Sequence, residues 1–123
     1  MAWLGNEVLD AALNLIDTTT ENLYICSQEP ITFAEASSTY KLGVKATPTI
    51  SASGERSGGG REITISAITD GSVTGTGTAS HWALTDDSGS VLLATGSLSA
   101  TQSVTSGNSY TLTEITIGIP DPA

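Results

Sequence analysis

The chain is poor in charge, and most of the charge it carries is negative. Only 14% of its 123 residues are charged, and the net charge is −9. Ordinary soluble domains carry about 25% charged residues. Lys and Arg together number four, which is too few for the clustered positive charge that phosphate binding requires. We therefore expect no nucleic acid partner.

Cysteine and histidine each occur once, which limits the chemistry of the chain. Cys26 has no partner for an intrachain disulfide, and with His81 alone the chain lacks the ligands of an ordinary Cys/His zinc site. Cys26 ends an apolar run at 23–26, which favours a small buried residue. No stretch reaches the ~18 apolar residues of a membrane helix. The start of the chain lacks the basic region of a secretion signal, so we expect no membrane partner.

The sequence contains no motif that selects a reaction. A Ser–His–Asp arrangement could be drawn with His81 and Asp86, but there is no nucleophile-elbow motif around any serine. Residues 86–89 (DDSG) offer oxygen ligands, yet they lack the length and the distal Glu of an EF-hand and are typical of a turn. Residues 58–61 (GGGR) lack the Lys-Ser/Thr pair of a phosphate-binding loop. We predict that the chain is not an enzyme and uses no metal or other cofactor.

Hydroxyl side chains and glycine take the place of charge. The chain has 19 Thr, 16 Ser and 13 Gly. Thr favours strands, whereas Ser and Gly favour turns. Turn signals recur about every 8–12 residues, which is typical of antiparallel sandwiches and barrels. We predict a mainly β fold, an antiparallel sandwich or barrel of about six to eight short strands with one N-terminal α-helix.

The predicted chain has two parts, an N-terminal arm and helix at 1–21 and a β-sandwich domain at 22–123. Asn6 is the predicted N-cap of the helix, and the β-branched run 18–20 ends it. A helix this short is marginal alone, so we expect it to dock on the sheet or on a neighbouring subunit. Its apolar face comprises Val8, Leu9, Ala12, Leu13 and Ile16.

Strand and turn patterns subdivide the second part. Residues 22–27 predict a buried strand and residues 32–37 a short helical turn. A long Gly/Ser-rich connection at 37–61, with a weak strand at 47–52, predicts a binding loop or arm. Tight turns are predicted at 70–71, 86–89 and 106–108. The predicted later strands are 63–65, 73–85, 90–95, 98–104 and 109–119, the last with a β-bulge near 113–114.

All four basic residues lie within the span 41–61. They belong either to a solvated loop or to an electropositive contact with an acidic partner surface. In the N-terminal arm, Trp3 either packs on its own helix or anchors an interface, with Leu4 beside it. The candidate interface residues are Trp3, Leu4, Lys41, Lys45, Arg56 and Arg61.

Several segments together resemble a group of short structural proteins encoded among the virion genes of siphophages and prophages. The resemblance covers nearly the whole chain, and its motifs are strand and turn residues rather than a chemical signature. The segments are 23–30 (LYICSQEP), 32–36 (TFAEA), 40–43 (YKLG), 58–61 (GGGR), 77–84 (GTASHWAL), 92–98 (LLATGSL) and 102–108 (QSVTSGN).

The resemblance implies a capsid cement, or head decoration, protein of a bacteriophage. Such a protein would bind the outer surface of the capsid and bridge major capsid subunits. Its partners would be the major capsid protein and copies of itself, as a dimer or trimer. The alternative is a tail component, such as a tail-tip, tail-fibre or receptor-binding module. In that case Trp82 or Tyr110 could stack on a host glycan, although both also fit a core position.

Overall fold

A computed structural model of the protein describes residues 4–120, which form an α-helix, a π-helical turn and nine strands. The elements in chain order are α1 (Asn6–Thr19), β1 (Asn22–Cys26), the π-helical turn (Glu35–Thr39), β2 (Lys41–Ala46), β3 (Gly54–Glu55), β4 (Arg61–Ile65), β5 (Ile68–Val73), β6 (Gly77–Asp86), β7 (Val91–Val104), β8 (Ser109–Leu112) and β9 (Ile115–Ile119).

The strands form two antiparallel sheets. The larger has the order β7-β6-β1-β2-β5-β8, and the smaller has the order β3-β4-β9. The two edges of the large sheet approach one another, because Gln102 Nε2 on β7 donates a 2.7 Å hydrogen bond to the Thr111 carbonyl on β8. The large sheet is thus curled like an open barrel. The predicted mainly β antiparallel class with one N-terminal helix is confirmed.

The core fills the inside of the curled sheet, and β1 lies at its centre. Leu23 and Ile25 of β1 face this core, while Tyr24 and Cys26 are buried on the opposite face. An uninterrupted apolar run is expected of a strand covered on both sides. The core cluster comprises Leu23, Ile25, Leu42, Ile65, Ile68, Val73, Ala79, Trp82, Leu84, Val104, Tyr110 and Leu112.

Helix α1 packs against β4 and β6 through Leu9 and Leu13, which are buried. The prediction of Asn6 as N-cap is wrong, because Asn6 is the first helical residue and Gly5 is the cap, whose carbonyl accepts the Val8 N–H at 3.0 Å. The threonines at 18–20 do end the helix, and each hydroxyl bonds the carbonyl four residues earlier. α1 is not long and apolar enough to cross a membrane, and the part of the chain from 4 to 120 has no other helix that could.

The predicted connection at 37–61 is not a continuous loop. It contains β2, which lies inside the large sheet between β1 and β5, and the short strand β3. The predicted weak strand at 47–52 is reduced to a single bridge between Ile50 and Ile65. The helical turn predicted at 32–37 is present and extends to Thr39, its last five residues as the π-helical turn. Pairing across the sheet therefore orders a segment whose Gly and Ser content favours a loop.

Two glycines predicted to break or turn the chain lie inside strands. Gly71 is in β5, and a Cβ there would lie 2.2 Å from Tyr110 Cζ. Gly96 is in β7, and a Cβ there would lie 2.6 Å from Trp82 Cζ2. Each glycine lets an aromatic ring lie flat across its backbone, which is a known use of glycine in strands. The turn at 70–71 and the break between 90–95 and 98–104 are therefore wrong predictions.

The last predicted strand, 109–119, is two strands in different sheets. β8 pairs with β5 in the large sheet, whereas β9 pairs with β4 in the small one. The change of phase at Thr113 and Glu114, predicted as a bulge, marks the point where the chain leaves one sheet for the other. This crossing leaves a gap between the two sheets.

Candidate interaction surface

The single histidine lies between two serines and away from carboxylates. His81 Nδ1 is 2.8 Å from Ser80 Oγ, and its Nε2 is 3.4 Å from Ser97 Oγ. The Ser80 hydroxyl donates its one proton to the Ser27 carbonyl, so His81 Nδ1 is assigned as the donor to Ser80. Asp86 lies at the other end of β6 and accepts the Gly89 N–H at 3.2 Å. The Ser–His–Asp arrangement considered from the sequence is not formed.

The carboxylates near residues 86–89 bind their own chain. Tyr24 OH donates to Asp87 Oδ2 at 2.7 Å, and the buried Thr85 hydroxyl donates to Asp87 Oδ1. Burial alone would raise the pKa of Asp87, but these hydrogen bonds outweigh it and the pKa is lowered. Burial, followed by the bond to Asp87, raises the pKa of Tyr24. Among the described residues, no group of three or more His, Cys, Asp or Glu side chains could hold a metal ion.

Three of the four basic residues lie in strands of two different sheets, and Arg56 follows β3. Lys45 in β2 pairs with Asp70 at 3.0 Å, and Arg61 in β4 pairs with Asp10 of α1 at 2.7 Å. The bond from Arg61 lowers the pKa of Asp10. This second pair is the more enclosed and ties the helix to the small sheet. Each cation is thus already matched by a carboxylate of its own chain.

The remaining two basic residues also contact their own chain. The Lys41 ammonium lies 5.6 Å from the centre of the Tyr24 ring, within cation–π range. Arg56 donates to the Gly59 carbonyl at 3.1 Å and so braces a turn in which Gly58, Gly59 and Gly60 all have positive φ. Sequence proximity of the four cations therefore does not translate into one positive patch, and their role at an interface stays a prediction.

An apolar stripe runs along the outer side of α1. All of its residues are apolar and exposed, and those within the helix, from Val8 to Leu15, lie on one face because they are spaced i, i+3, i+4 and i+7. Val8 and Leu15 are each 56% exposed. Trp3 lies outside the described residues. The apolar stripe consists of Leu4, Val8, Ala11, Ala12 and Leu15.

The apolar stripe extends a face of the helix that the sequence analysis identified only in part. Leu9, Leu13 and Ile16 point to the sheets, as the predicted apolar face requires, whereas Val8 and Ala12 do not. The opposite side of α1 is polar. The apolar arc of the helix is thus wider than the part that the sheets of its own domain cover.

A second surface feature is a cavity of about 660 Å³ in the gap between the two sheets. It opens between β7 on one side and β8 with β9 on the other. Trp82 and Leu112 of the core form part of its lining, and among residues 4–120 Glu114 is the sole charged residue that lines it. Sequence reasoning missed this cavity, although the change of phase at 113–114 was the signal that could have indicated it.

Comparisons with protein-family models, with curated proteins and with solved structures give no match to this chain.

Proposed function

We propose that the protein is a structural protein of a bacteriophage virion, a capsid cement protein that binds the outside of the head. In this proposal it bridges neighbouring major capsid subunits. The observation that carries the proposal is the apolar stripe of α1, because a helix face of this kind is normally covered by another protein. The resemblance to siphophage and prophage virion proteins supplies the identity of the covering surface.

The rest of the surface fits a role in an assembled particle. The chain has 35 Ser and Thr residues (19 Thr and 16 Ser), and hydroxyl groups can bond to a neighbouring protein without the cost of burying a charge. Each contact would be modest. Many copies on a closed shell would nonetheless hold it together, because each bound copy raises the effective concentration of its other contacts.

The tail alternative is less favoured by the positions of the aromatic side chains. A receptor-binding module that stacks on glycans needs an exposed ring face. Trp82 is only 8% exposed and Tyr110 only 2% exposed, and both pack in the core cluster. We therefore retain the capsid exterior as the proposed location.

The test is co-sedimentation of the purified protein with capsids that were assembled without it. We expect Val8→Asp and Leu15→Asp each to weaken binding by at least about tenfold, since burial of an aliphatic side chain contributes about 1.5–3 kcal/mol. Asn14→Asp is the matched control, because it adds the same charge on the polar side of the same helix. Failure of the wild-type protein to bind capsids, or its location in the tail in a cryo-EM map of the virion, would refute the proposal.

A further inference from the structure

The cavity between the two sheets is bordered by three strand edges that have no strand beside them. In the described part of the chain, β7 pairs with β6 alone, β8 with β5 alone and β9 with β4 alone. The cavity is lined by residues 96–100 and 102 of β7 and by residues 111–116 across from it. Except at the Thr111 carbonyl, which accepts a hydrogen bond from Gln102, the N–H and C=O groups on the outer edges of these strands are therefore available to a further strand.

One end of this gap is closed and the rest is open. The hydrogen bond from Gln102 to the Thr111 carbonyl spans it where β7 and β8 come closest. Beyond that point β7 bulges away from β6. Ala79 of β6 pairs with Gln102 and His81 pairs with Ser97, so the single residue between them, Ser80, lies opposite four residues of β7. β-Bulges are over-represented at sheet edges and next to active sites, where they re-aim side chains. Residues 98–100 of this bulge line the β7 side of the cavity.

The floor of the cavity is apolar and its rim is hydroxyl-rich. Ile68, Trp82 and Leu112 belong to the core cluster, and Leu98 and Ile115 pack against that cluster. The floor thus offers apolar contact area, while hydroxyl side chains border it.

The charge distribution indicates which kind of segment fits. Among the described residues that line the cavity, Glu114 is the one ionisable group, and the whole chain carries a net charge of −9. A segment with basic side chains is therefore attracted to this opening, whereas an acidic one is repelled. In an extended segment alternate side chains point to opposite faces, so apolar ones can enter the cavity while basic ones remain at the rim near Glu114.

We propose that this cavity binds an extended segment of a partner protein, with alternating apolar and basic side chains, which adds as a strand along the free edge of β7. Backbone hydrogen bonds to β7 would supply affinity, and the apolar floor would supply specificity, as in other cases of strand addition. The site goes beyond the proposed capsid role. It is argued from strand edges rather than from α1, so either proposal can fail without the other.

The test uses the full chain with Trp3→Phe, which leaves Trp82 as its one tryptophan. The probe is an acetylated and amidated peptide of sequence Thr-Val-Lys-Val-Lys-Val-Thr, titrated while the fluorescence of Trp82 is followed. We expect saturable binding of this probe, and binding at least about tenfold weaker of the same peptide with Glu in place of Lys. A version N-methylated at every Lys and Val should bind at least about tenfold more weakly, because it cannot donate backbone hydrogen bonds.

Two pairs of variants locate the binding. Ala100→Phe places a ring at the mouth of the cavity and should abolish binding, whereas Ala100→Ser should not. Glu114→Gln should weaken binding about two- to fivefold at low salt, as expected of an exposed ion pair. Glu29→Gln removes an exposed carboxylate away from the cavity and should leave binding unchanged.

The proposal would be overturned by the absence of saturable binding. It would also be overturned if the N-methylated probe bound as tightly as the parent, since the cavity would then hold apolar ligands without strand addition. Binding that survives Ala100→Phe in a protein with native circular dichroism would place the peptide elsewhere and would equally refute the site.

Discussion

Substitution of Gly71 by alanine should destabilise the protein strongly, even though it adds a single methyl group. The added Cβ would lie 2.2 Å from Tyr110 Cζ, 2.3 Å from Cε1 and 2.6 Å from Cε2, so it would meet the face of the ring. Contacts at a Cβ are normally 3.4 Å or longer, and the ring must therefore move by more than 1 Å. Tyr110 is 2% exposed and its hydroxyl bonds the Leu23 carbonyl, so the ring has little room to move.

The expected loss of stability lies between the losses caused by two known kinds of core substitution. Overpacking a core costs about 1–3 kcal/mol, and the removal of a large aromatic side chain from a core costs about 3–5 kcal/mol. We expect Gly71→Ala to lower the free energy of unfolding by about 3 kcal/mol. With a urea m-value of about 1.5 kcal/mol/M for a small domain, the midpoint should fall by about 2 M.

Urea unfolding followed by circular dichroism measures this loss. Gly54→Ala is the control, because a Cβ there meets no atom within 4 Å, and it should leave the midpoint unchanged or slightly raised. In a double-mutant cycle, Gly71→Ala should cost less in a Tyr110→Leu background than in the wild type. A Gly71→Ala protein within about 0.5 kcal/mol of the wild type would refute the packing argument, since that is the usual scatter of harmless substitutions.

Three further predictions concern titratable side chains. Arg61 holds the pKa of Asp10 below 3.8, so the ion pair stabilises the fold at neutral pH and this stability is lost as the pH falls below 3.8. The Asp10→Asn variant should therefore lose less stability in acid than the wild type when the free energy of unfolding is measured against pH. An equal loss in the two proteins would contradict this prediction. Burial and Asp87 raise the pKa of Tyr24 above 10.0, so the contribution of Tyr24 to stability is fully present below pH 10 and declines above it. In urea titrations at alkaline pH, the Tyr24→Phe variant should show a smaller decline in stability than the wild type. An equal decline would count against this prediction. Burial raises the pKa of the Cys26 thiol to about 11, so a disulfide reagent should modify this thiol rapidly only when urea has unfolded the protein. Fast modification of the native protein would show that the residue is accessible.

Local sequence pattern was sufficient for elements whose stabilising contacts are close in the chain. The apolar run at 23–26 predicted β1, because a strand buried on both faces has no polar position to interrupt it. The spacing of Leu9, Leu13 and Ile16 predicted the buried face of α1. In both cases the residues that determine the element lie within it.

Pattern was insufficient where a residue far along the chain decides the local structure. Gly71 looks like a turn residue until Tyr110 is placed over it, and Gly96 looks like a break until Trp82 is placed over it. Sequence spacing gives no means of pairing these residues. Predicted turns at glycine are therefore least reliable where an unassigned aromatic lies opposite in the sheet.

The same limit applies to the candidate interface. Lys45 and Arg61 are close in sequence, which predicted a shared positive contact. In the structure Lys45 pairs with Asp70 and Arg61 pairs with Asp10, so each cation is neutralised at a different place. The cavity was missed because its rim includes Glu114, where one predicted strand is in fact two. Apolar spacing did indicate that α1 needs a docking surface, but not that one domain covers only part of its apolar arc.

The central place of β1 has a consequence for how the chain is made. β1 pairs with β2 soon after it in sequence, but its other edge pairs with β6, where Ile25 lies opposite Trp82. During synthesis this strand, which is buried on both faces, must therefore remain half paired until β6 has been made, about 50 residues later in the chain. Long-range pairing of this kind slows folding and exposes a hydrophobic edge to other nascent chains. Crowded expression in a host cell would therefore favour aggregation from partly made chains rather than from the finished protein.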